Sequence, residues 1–176
     1  KKRNSNEVLI EGEANSLKEF VENNKCNLSG SDLSWCDLSG SNLSGSNLRG
    51  SNLRGSNLSG SDLSGSDLRE SILNWCDLSG SNLSGSNLRG SNLRGSNLSG
   101  SDLSGSDLRE SILNWSDLSG SNLSESDLRG SHLNWSDLSG SNLKGSNLRG
   151  SNLNWNKIKI TQKDELLEAL KIEINK

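Results

Sequence analysis

The 176-residue sequence contains no proline, methionine or tyrosine, and it has one histidine and one phenylalanine. Only 29% of its residues are hydrophobic, which first suggests a disordered chain, but the net charge is just −3 and Leu, Ile, Val and Phe still make up close to a quarter of the sequence. No apolar run approaches the about 20 residues that span a bilayer, and no signal-peptide pattern opens the chain. We therefore expect a cytoplasmic protein without membrane association.

The leucines are placed with a strict period of five. From Cys26 to Trp155 the chain divides into 26 five-residue units without insertion. Position three is always Leu, position one is Ser or Cys, and position two is Asn or Asp in all but three units. Position five carries 18 of the 19 glycines and all five tryptophans. A period of five fits neither a helix nor a simple strand, so the pattern predicts a solenoid.

Longer periods predict the size of one coil. Alternation along a short extended stretch would place positions one and three inside, and Gly at position five would turn the chain. Residues 31–70 and 71–110 match at 38 of 40 positions, and the tryptophans are separated by multiples of four units. A coil made of four units satisfies both observations. The 26 units then form an all-β solenoid of about 6.5 coils.

Units such as SNLSG, SNLRG, SDLSG and CDLSG resemble the A(D/N)LXX consensus of the pentapeptide-repeat family, over 130 of the 176 residues. The resemblance implies a right-handed quadrilateral β-helix with Leu and the small first residue inside. This sequence departs from the consensus by placing Ser where Ala is typical. Each inward hydroxyl then needs a partner, because an unpaired buried polar group costs about 1–3 kcal/mol.

The composition changes at both ends of the repeats, which predicts three segments. Residues 1–25 are an N-terminal cap with a short strand (EVLIEGE) and a helix opened by a capping box of Ser16 and Glu19. Residues 26–160 are the β-helix, and residues 161–176 are a capping helix that starts at Thr161. Both ends cover open solenoid edges in this interpretation. The resemblance implies an alternative, since in some relatives the C-terminal helix also mediates a homodimer.

The sequence has no signature of catalysis or of a cofactor. His132, the single histidine, occupies an outward position with no orienting acid and no nucleophile at a typical spacing. No CxxC motif or Cys/His cluster indicates zinc, and the nonapeptide of calcium-binding solenoids is missing. The three cysteines, Cys26, Cys36 and Cys76, stand at position one, so we interpret them as buried free thiols. We predict no enzyme activity, no metal and no cofactor.

Arginines recur in every fourth unit along one predicted column, which contains Arg49, Arg69, Arg89, Arg109, Arg129 and Arg149. Such a line of positive charge attracts phosphates. However, Glu70 and Glu110 directly follow two of these arginines, and residues 26–155 carry 13 acidic and 9 basic side chains. We therefore interpret the column as a charge-compensated ladder and expect no direct nucleic-acid binding.

Tryptophans form a second column, and they define the candidate interaction face together with two neighbouring arginines: Trp35, Trp75, Trp115, Trp135, Trp155, Arg54 and Arg94. In a first interpretation the arginines bridge the rings by cation–π contacts and stabilise the rod. In a second interpretation the column is a strip that binds a protein partner. The spacing does not separate these two interpretations.

These observations favour a non-enzymatic scaffold or protein-interaction module, and the Lys-, Asn- and Ile-rich ends suggest a bacterial source. The resemblance implies an alternative, a DNA mimic that binds DNA gyrase or another type II topoisomerase. The arginine ladder and the mild acidity argue against it. A third hypothesis, ice binding by the serine ladders, is disfavoured because serine lacks the methyl group of threonine.

Overall fold

The computed structural model describes residues 15–154 and 163–170. Parallel β-bridges connect each residue at position two with its equivalent four units later, from Asp32↔Asn52 to His132↔Asn152. The coil of four units is therefore confirmed. Within the described residues these bridges are isolated and do not extend into strands. Two residues of each unit form a turn, so the extended part of each unit is too short to count as a strand.

Backbone hydrogen bonds run between successive coils in both directions. The N–H of Leu43 donates to the carbonyl of Asp62 in the next coil (2.7 Å), and the N–H of Asp62 donates back to Ser41 (2.8 Å). The N–H of Gly45 donates to Ser64 (2.8 Å). The same pattern recurs from coil to coil, and it leaves little room for proline, which has no N–H to donate.

Each unit ends in a four-residue turn that closes onto the next unit. The N–H of Ser41 donates to the carbonyl of Leu38 (3.1 Å), and the intervening Gly40 has φ +60°. A positive φ at the third residue of a turn is the requirement of type II, which glycine meets without strain. Position five therefore turns the chain, as the sequence predicts.

The core consists of leucines stacked coil on coil. Of the 25 leucines at position three from Leu28 to Leu148, Leu33 is 7% exposed and the others at most 1%. Burial of each such side chain contributes about 1.5–3 kcal/mol. A chain with few hydrophobic residues thus still contains an unbroken apolar core.

Serines at position one line the same interior, and 21 of them are fully buried. In 16 the hydroxyl donates to a leucine carbonyl, as Ser51 does to Leu48 at 2.6 Å. Five others have no partner among the described residues: Ser41, Ser46, Ser86, Ser91 and Ser131. Most inward hydroxyls are therefore satisfied by backbone carbonyls of the solenoid itself.

The Asn or Asp at position two has a backbone role that sequence reasoning missed. In all 22 units after residue 30 that carry one of them, its Oδ1 accepts the N–H of position four. Asx side chains commonly make this bond to the residue two positions on. The amide of Asn52 also donates to Asp32 in the preceding coil (3.1 Å), so these side chains can connect coils as well.

Helix α1 (Leu17–Asn23) and a 3-10 helix (Lys25–Asn27) cover the first coil. Val21 is buried in the core, and Glu22 Oε1 accepts the N–H of Asn42 (2.7 Å), which has no preceding coil to pair with. Lys18 Nζ donates to the carbonyls of Ser39 (3.1 Å) and Gly40 (2.9 Å). These contacts protect an edge that would otherwise pair with another chain.

At the other end, helix α2 (Lys163–Ala169) meets the last complete coil. The carbonyl of Ala169 accepts the N–H of Leu148 (2.7 Å), and Leu166 and Leu170 pack against the core. The predicted strand at residues 7–13, the predicted end of the β-helix at residues 155–160 and the predicted helix start at Thr161 lie outside the described residues. None of the helices in the described ranges has the length and apolarity needed to cross a bilayer.

Two predictions about individual residues are wrong. Cys26 is exposed and Cys36 is half-buried, so only Cys76 is a buried thiol. Cys26 lies in the 3-10 helix, where position one does not point into a complete coil. The capping box is also incomplete, because Ser16 Oγ accepts the N–H of Glu19 (3.1 Å) but Glu19 Oε2 accepts the N–H of Asn15 (2.8 Å).

Candidate interaction surface

The units that begin at residues 31, 51, 71, 91, 111, 131 and 151 form one column, here the tryptophan column. It contains six of the seven exposed large hydrophobic side chains of the described residues: Trp35, Ile72, Trp75, Ile112, Trp115 and Trp135. The tryptophans are 51–70% exposed. Concentration of exposed apolar side chains on one column is typical of a binding surface. Trp155 lies outside the described residues.

The tryptophans occupy backbone positions that suit glycine. The φ angles of the four described tryptophans lie between 61° and 65°, in the left-handed region. A residue with a Cβ pays about 1–2 kcal/mol there. Most other corners carry glycine at a similar φ, so the fold itself does not require tryptophan at these corners. Strain of this kind is often found where a side chain serves a function.

The indole rings lie across the axis of the solenoid. Trp115 and Trp135, in successive coils, stack with ring centroids 5.2 Å apart and planes inclined by 7°. The rings of Trp35 and Trp75 lie against the glycine corners of the following coils, Gly55 and Gly95. Ring edges therefore point outward, and ring faces point along the column.

The two arginines of the candidate face behave differently. The guanidinium carbon of Arg54 lies 6.0 Å from the ring centroid of Trp35, at the outer limit of a cation–π contact. Arg94 has no ring contact or ion pair within the parts of the chain that the structure describes, and its side chain is exposed. The cation–π interpretation thus has one contact, at the ring of Trp35.

In the arginine column the shortest ion pair of Arg49, Arg69, Arg89, Arg109 and Arg129 depends on the residue at position two, and Arg109 also lies 3.7 Å from Asp127 in the next coil. Arg69 pairs with Asp67 of its own unit (2.5 Å), whereas Arg49, whose unit carries Asn47, reaches Glu70 in the next coil (3.2 Å). The same rule holds in later coils for the pairs Arg89–Glu110, Arg109–Asp107 and Arg129–Asp127. A shallow hollow of about 320 Å³ between these side chains is lined by both signs of charge. The geometry agrees with a charge-compensated ladder.

These pairs shift the pKa values of the carboxyl groups. Hydrogen bonds from the guanidinium and the N–H of Arg69, with its charge, hold the pKa of Asp67 below the ordinary value of 3.8, against a smaller opposing effect of burial. The pKa values of Asp107 and Asp127 are lowered in the same way by Arg109 and Arg129. Burial raises the pKa of the Cys76 thiol to about 12, so this thiol stays protonated at neutral pH.

The remaining two columns are acidic. The first serine column (units from residues 36 to 140) and the second (units from 41 to 145) lie next to each other around the coil, between the tryptophan column and the arginine column. Together they carry seven carboxyl groups and one amine: Asp37, Asp62, Asp77, Asp102, Asp117, Glu125, Asp137 and Lys144. Most of the net negative charge therefore lies away from the tryptophan column.

Within residues 15–154 and 163–170, no group of three or more His, Cys, Asp or Glu side chains is placed to hold a metal ion. His132 is exposed at position two, between Ile112 and Asn152, to which it is bridged through the backbone. General acid–base catalysis by this imidazole would need an orienting acid and a nucleophile beside it. Its two bridged neighbours, an isoleucine and an asparagine, supply neither group.

The repeats match the family model of pentapeptide repeats, which recurs in eight copies over residues 26–65, 46–85, 76–114, 86–124 and 116–154. The chain is a pentapeptide-repeat protein. The family consensus agrees with the inward Leu and the small first residue, and this pentapeptide-repeat protein departs from it by carrying Ser at position one. No curated protein matches the sequence.

Solved structures of other pentapeptide-repeat proteins are similar at low identity. HetL of the cyanobacterium Nostoc sp. strain PCC 7120, involved in heterocyst differentiation regulation, is 23% identical with a TM-score of 0.38, over 73% of this chain and 70% of that one. Full-length QnrB1, a plasmid-mediated fluoroquinolone resistance protein, is 20% identical with a TM-score of 0.42, over 84% and 93%. Rfr23 of the cyanobacterium Cyanothece 51142 is 24% identical with a TM-score of 0.38, over 74% and 86%.

Proposed function

We propose that this pentapeptide-repeat protein is a non-enzymatic interaction module that binds a protein partner through its tryptophan column. The repeats form a rigid scaffold, in our proposal a right-handed quadrilateral β-helix in the cytoplasm of a bacterial cell. One observation carries the proposal: six of seven exposed large hydrophobic side chains of the described residues lie on this column. Aromatic side chains presented in this way are enriched among residues that dominate binding energy.

The test replaces tryptophan by the residue that the other corners use. Trp115→Gly combined with Trp135→Gly removes two rings and relieves their backbone strain, so the variant should fold. The matched control is Glu70→Gly combined with Glu110→Gly, which changes two strained corners of the arginine column (φ 60° at both). Proteins retained by the immobilised wild type are identified, purified and titrated against all three proteins.

We expect a purified partner to bind the tryptophan variant at least about tenfold more weakly than the wild type and the glutamate control. Equal affinity for all three proteins would overturn the proposal. Loss of binding in both variants would also overturn it, because the tryptophan column would then have no special role.

The DNA-mimic alternative is supported by one observation, the seven carboxyl groups on the two serine columns. The arginine column weakens it, since a mimic of the phosphate backbone needs negative charge along the rod. A gyrase supercoiling assay separates the two functions. Inhibition by micromolar protein that is lost when Asp77 and Asp117 become Asn would favour the alternative over our proposal.

A further inference from the structure

The described tryptophans of the column are unevenly spaced, because Trp35, Trp75 and Trp115 stand on alternate coils, whereas Trp115 and Trp135 stand on successive coils. Coils repeat about every 4.8 Å, so the rings of Trp35, Trp75 and Trp115, which occupy alternate coils, are about 9.6 Å apart. Gly55 and Gly95 stand at the corners between them, and a Cβ at Gly95 would lie 2.5 Å from the Trp75 ring. The ring of Trp35 rests on Gly55 and the ring of Trp75 on Gly95, so two slots remain outside these corners, one between Trp35 and Trp75 and one between Trp75 and Trp115.

The stacked pair of Trp115 and Trp135 indicates that an aromatic ring fits such a slot. Where two successive coils both carry tryptophan, Trp115 and Trp135 stack with centroids 5.2 Å apart. A further indole placed midway in a slot of about 9.6 Å would lie about 4.8 Å from the ring on either side, close to that spacing. Each slot thus has the width for one more aromatic ring. A sugar chain lying flat would meet ring edges instead of faces.

We propose that the occupant of the slots is a second copy of this chain, whose tryptophans have the same spacing along the column. This inference rests on the proposed function, because it uses the same column, and it adds the chain itself as one partner. A two-fold axis parallel to the rod would bring each tryptophan to the level of its own copy and leave the slots empty, so under closed two-fold symmetry the columns must pack face to face and antiparallel to fill them. The partner's Trp75 then enters the slot between Trp35 and Trp75, and the partner's Trp35 enters the slot between Trp75 and Trp115.

One register fills both slots without a collision. In it eight rings form a single stack in the order the partner's Trp135, the partner's Trp115, Trp35, the partner's Trp75, Trp75, the partner's Trp35, Trp115, Trp135. A shift by two coils in one direction would bring the partner's Trp35 to the level of Trp135. A shift in the other direction would leave a slot empty. The uneven spacing of the tryptophans therefore selects a register.

The same register has an electrostatic consequence. Arg54 and Arg94 of both copies come to four successive levels beside the stack. Asp32 of each copy comes to the level of the partner's Arg94, but the four arginines outnumber the two aspartates, so a net repulsion remains. Screening should relieve this repulsion, so we expect self-association to strengthen between about 0.05 and about 0.5 M salt. An interface held by ion pairs would respond in the opposite direction.

Sedimentation equilibrium measures the self-association. We expect the wild type to form a dimer that Trp75→Gly weakens at least about tenfold, whereas Glu125→Gly, another strained corner (φ 58°) on a different column, leaves it unchanged. A wild type that stays monomeric at millimolar concentration would overturn this inference. It would leave the proposed function standing, since that is judged by titration with a different protein.

Cross-linking tests the register. Cysteine is introduced at Ile72 or at Ile112, two sites within identical SILNW units, after Cys26, Cys36 and Cys76 are changed to Ser. In the proposed register the two copies of residue 72 are one coil apart, whereas the two copies of residue 112 are five coils, about 24 Å, apart. A short bismaleimide should therefore join Ile72→Cys and not Ile112→Cys. Equal cross-linking at both sites, or at neither, would overturn the antiparallel stack.

Discussion

The ring of Trp35 lies directly against the Cα of Gly55, one coil further along the chain, so a Cβ at residue 55 would collide with Cε3 and Cζ3 of the indole. Gly55 is thus needed for two reasons, its φ of +67° and the ring above it. Gly60, at the next corner, has φ +62° and nothing within 4 Å of a Cβ. A comparison of substitutions at Gly55 and Gly60 therefore separates the effect of backbone strain from the effect of steric collision with the ring.

We predict that Gly55→Ala destabilises the protein more than Gly60→Ala. Gly60→Ala should lower the free energy of unfolding by about 1–2 kcal/mol through left-handed strain, and Gly55→Ala by about 1–3 kcal/mol more through overpacking. Chemical denaturation measures both. In a Trp35→Gly background the difference between the two alanine variants should disappear. A difference that persists there would show that the ring is not its cause.

A second prediction concerns two buried serines in identical SNLRG units. Ser51 Oγ donates to Leu48 at 2.6 Å, whereas Ser91 Oγ has no partner within the described residues. Ser51→Ala should cost about 0.5–1.5 kcal/mol, and Ser91→Ala should be neutral or stabilising because it removes an unpaired hydroxyl. Thermal and chemical denaturation provide the comparison. Equal losses would mean that Ser91 bonds to Leu88 as Ser51 does to Leu48.

The sequence predicts the coil more completely than it predicts the surface. Leu and Ser recur at fixed positions, so the inward assignment and the coil of four units follow from period alone, and Leu43 and Asp62 pair across coils as that period requires. The orientation of a ring depends on the corner that follows it one coil later, which no local pattern encodes. The packing of the Trp35 ring against Gly55 is therefore seen only in the three-dimensional structure. The same is true of the hydrogen bond that the N–H of Asn42 donates to Glu22.

The ion pair between Arg69 and Asp67 predicts how stability depends on pH. The pKa of Asp67 is lower in the folded protein than the ordinary value of 3.8, so the pair's contribution is fully present above that value and is lost as the pH falls through the lowered pKa. Asp67→Asn, which keeps the acceptor for the N–H of Arg69, should be less stable than the wild type at neutral pH. The free energies of unfolding of Asp67→Asn and of the wild type should become equal at acid pH.

Urea denaturation between about pH 7 and about pH 2 measures this convergence. Arg69→Ser introduces the commonest residue at position four. It should make the free energy of unfolding depend less on pH over the same range. The double variant should show no further flattening, because either change removes the same pair. Additive effects of the two variants would contradict the pairing of Arg69 with Asp67.

The last prediction tests the inward assignment of position three. Leu93 is fully buried among the leucines of the adjacent coils, whereas Asn92 beside it faces outward. Leu93→Asp places a carboxylate in the apolar core, so it should lower the free energy of unfolding by more than about 4 kcal/mol, and Leu93→Ala by about 2–5 kcal/mol. Asn92→Asp keeps the acceptor for the N–H of Arg94 and should change stability by less than about 1 kcal/mol.

Because each coil is supported by its two neighbours, the Leu93→Asp substitution should destabilise the middle of the solenoid first. Hydrogen exchange should then show lost protection first in the coils around residue 93. A Leu93→Asp variant that melts like the wild type would place position three outside the core.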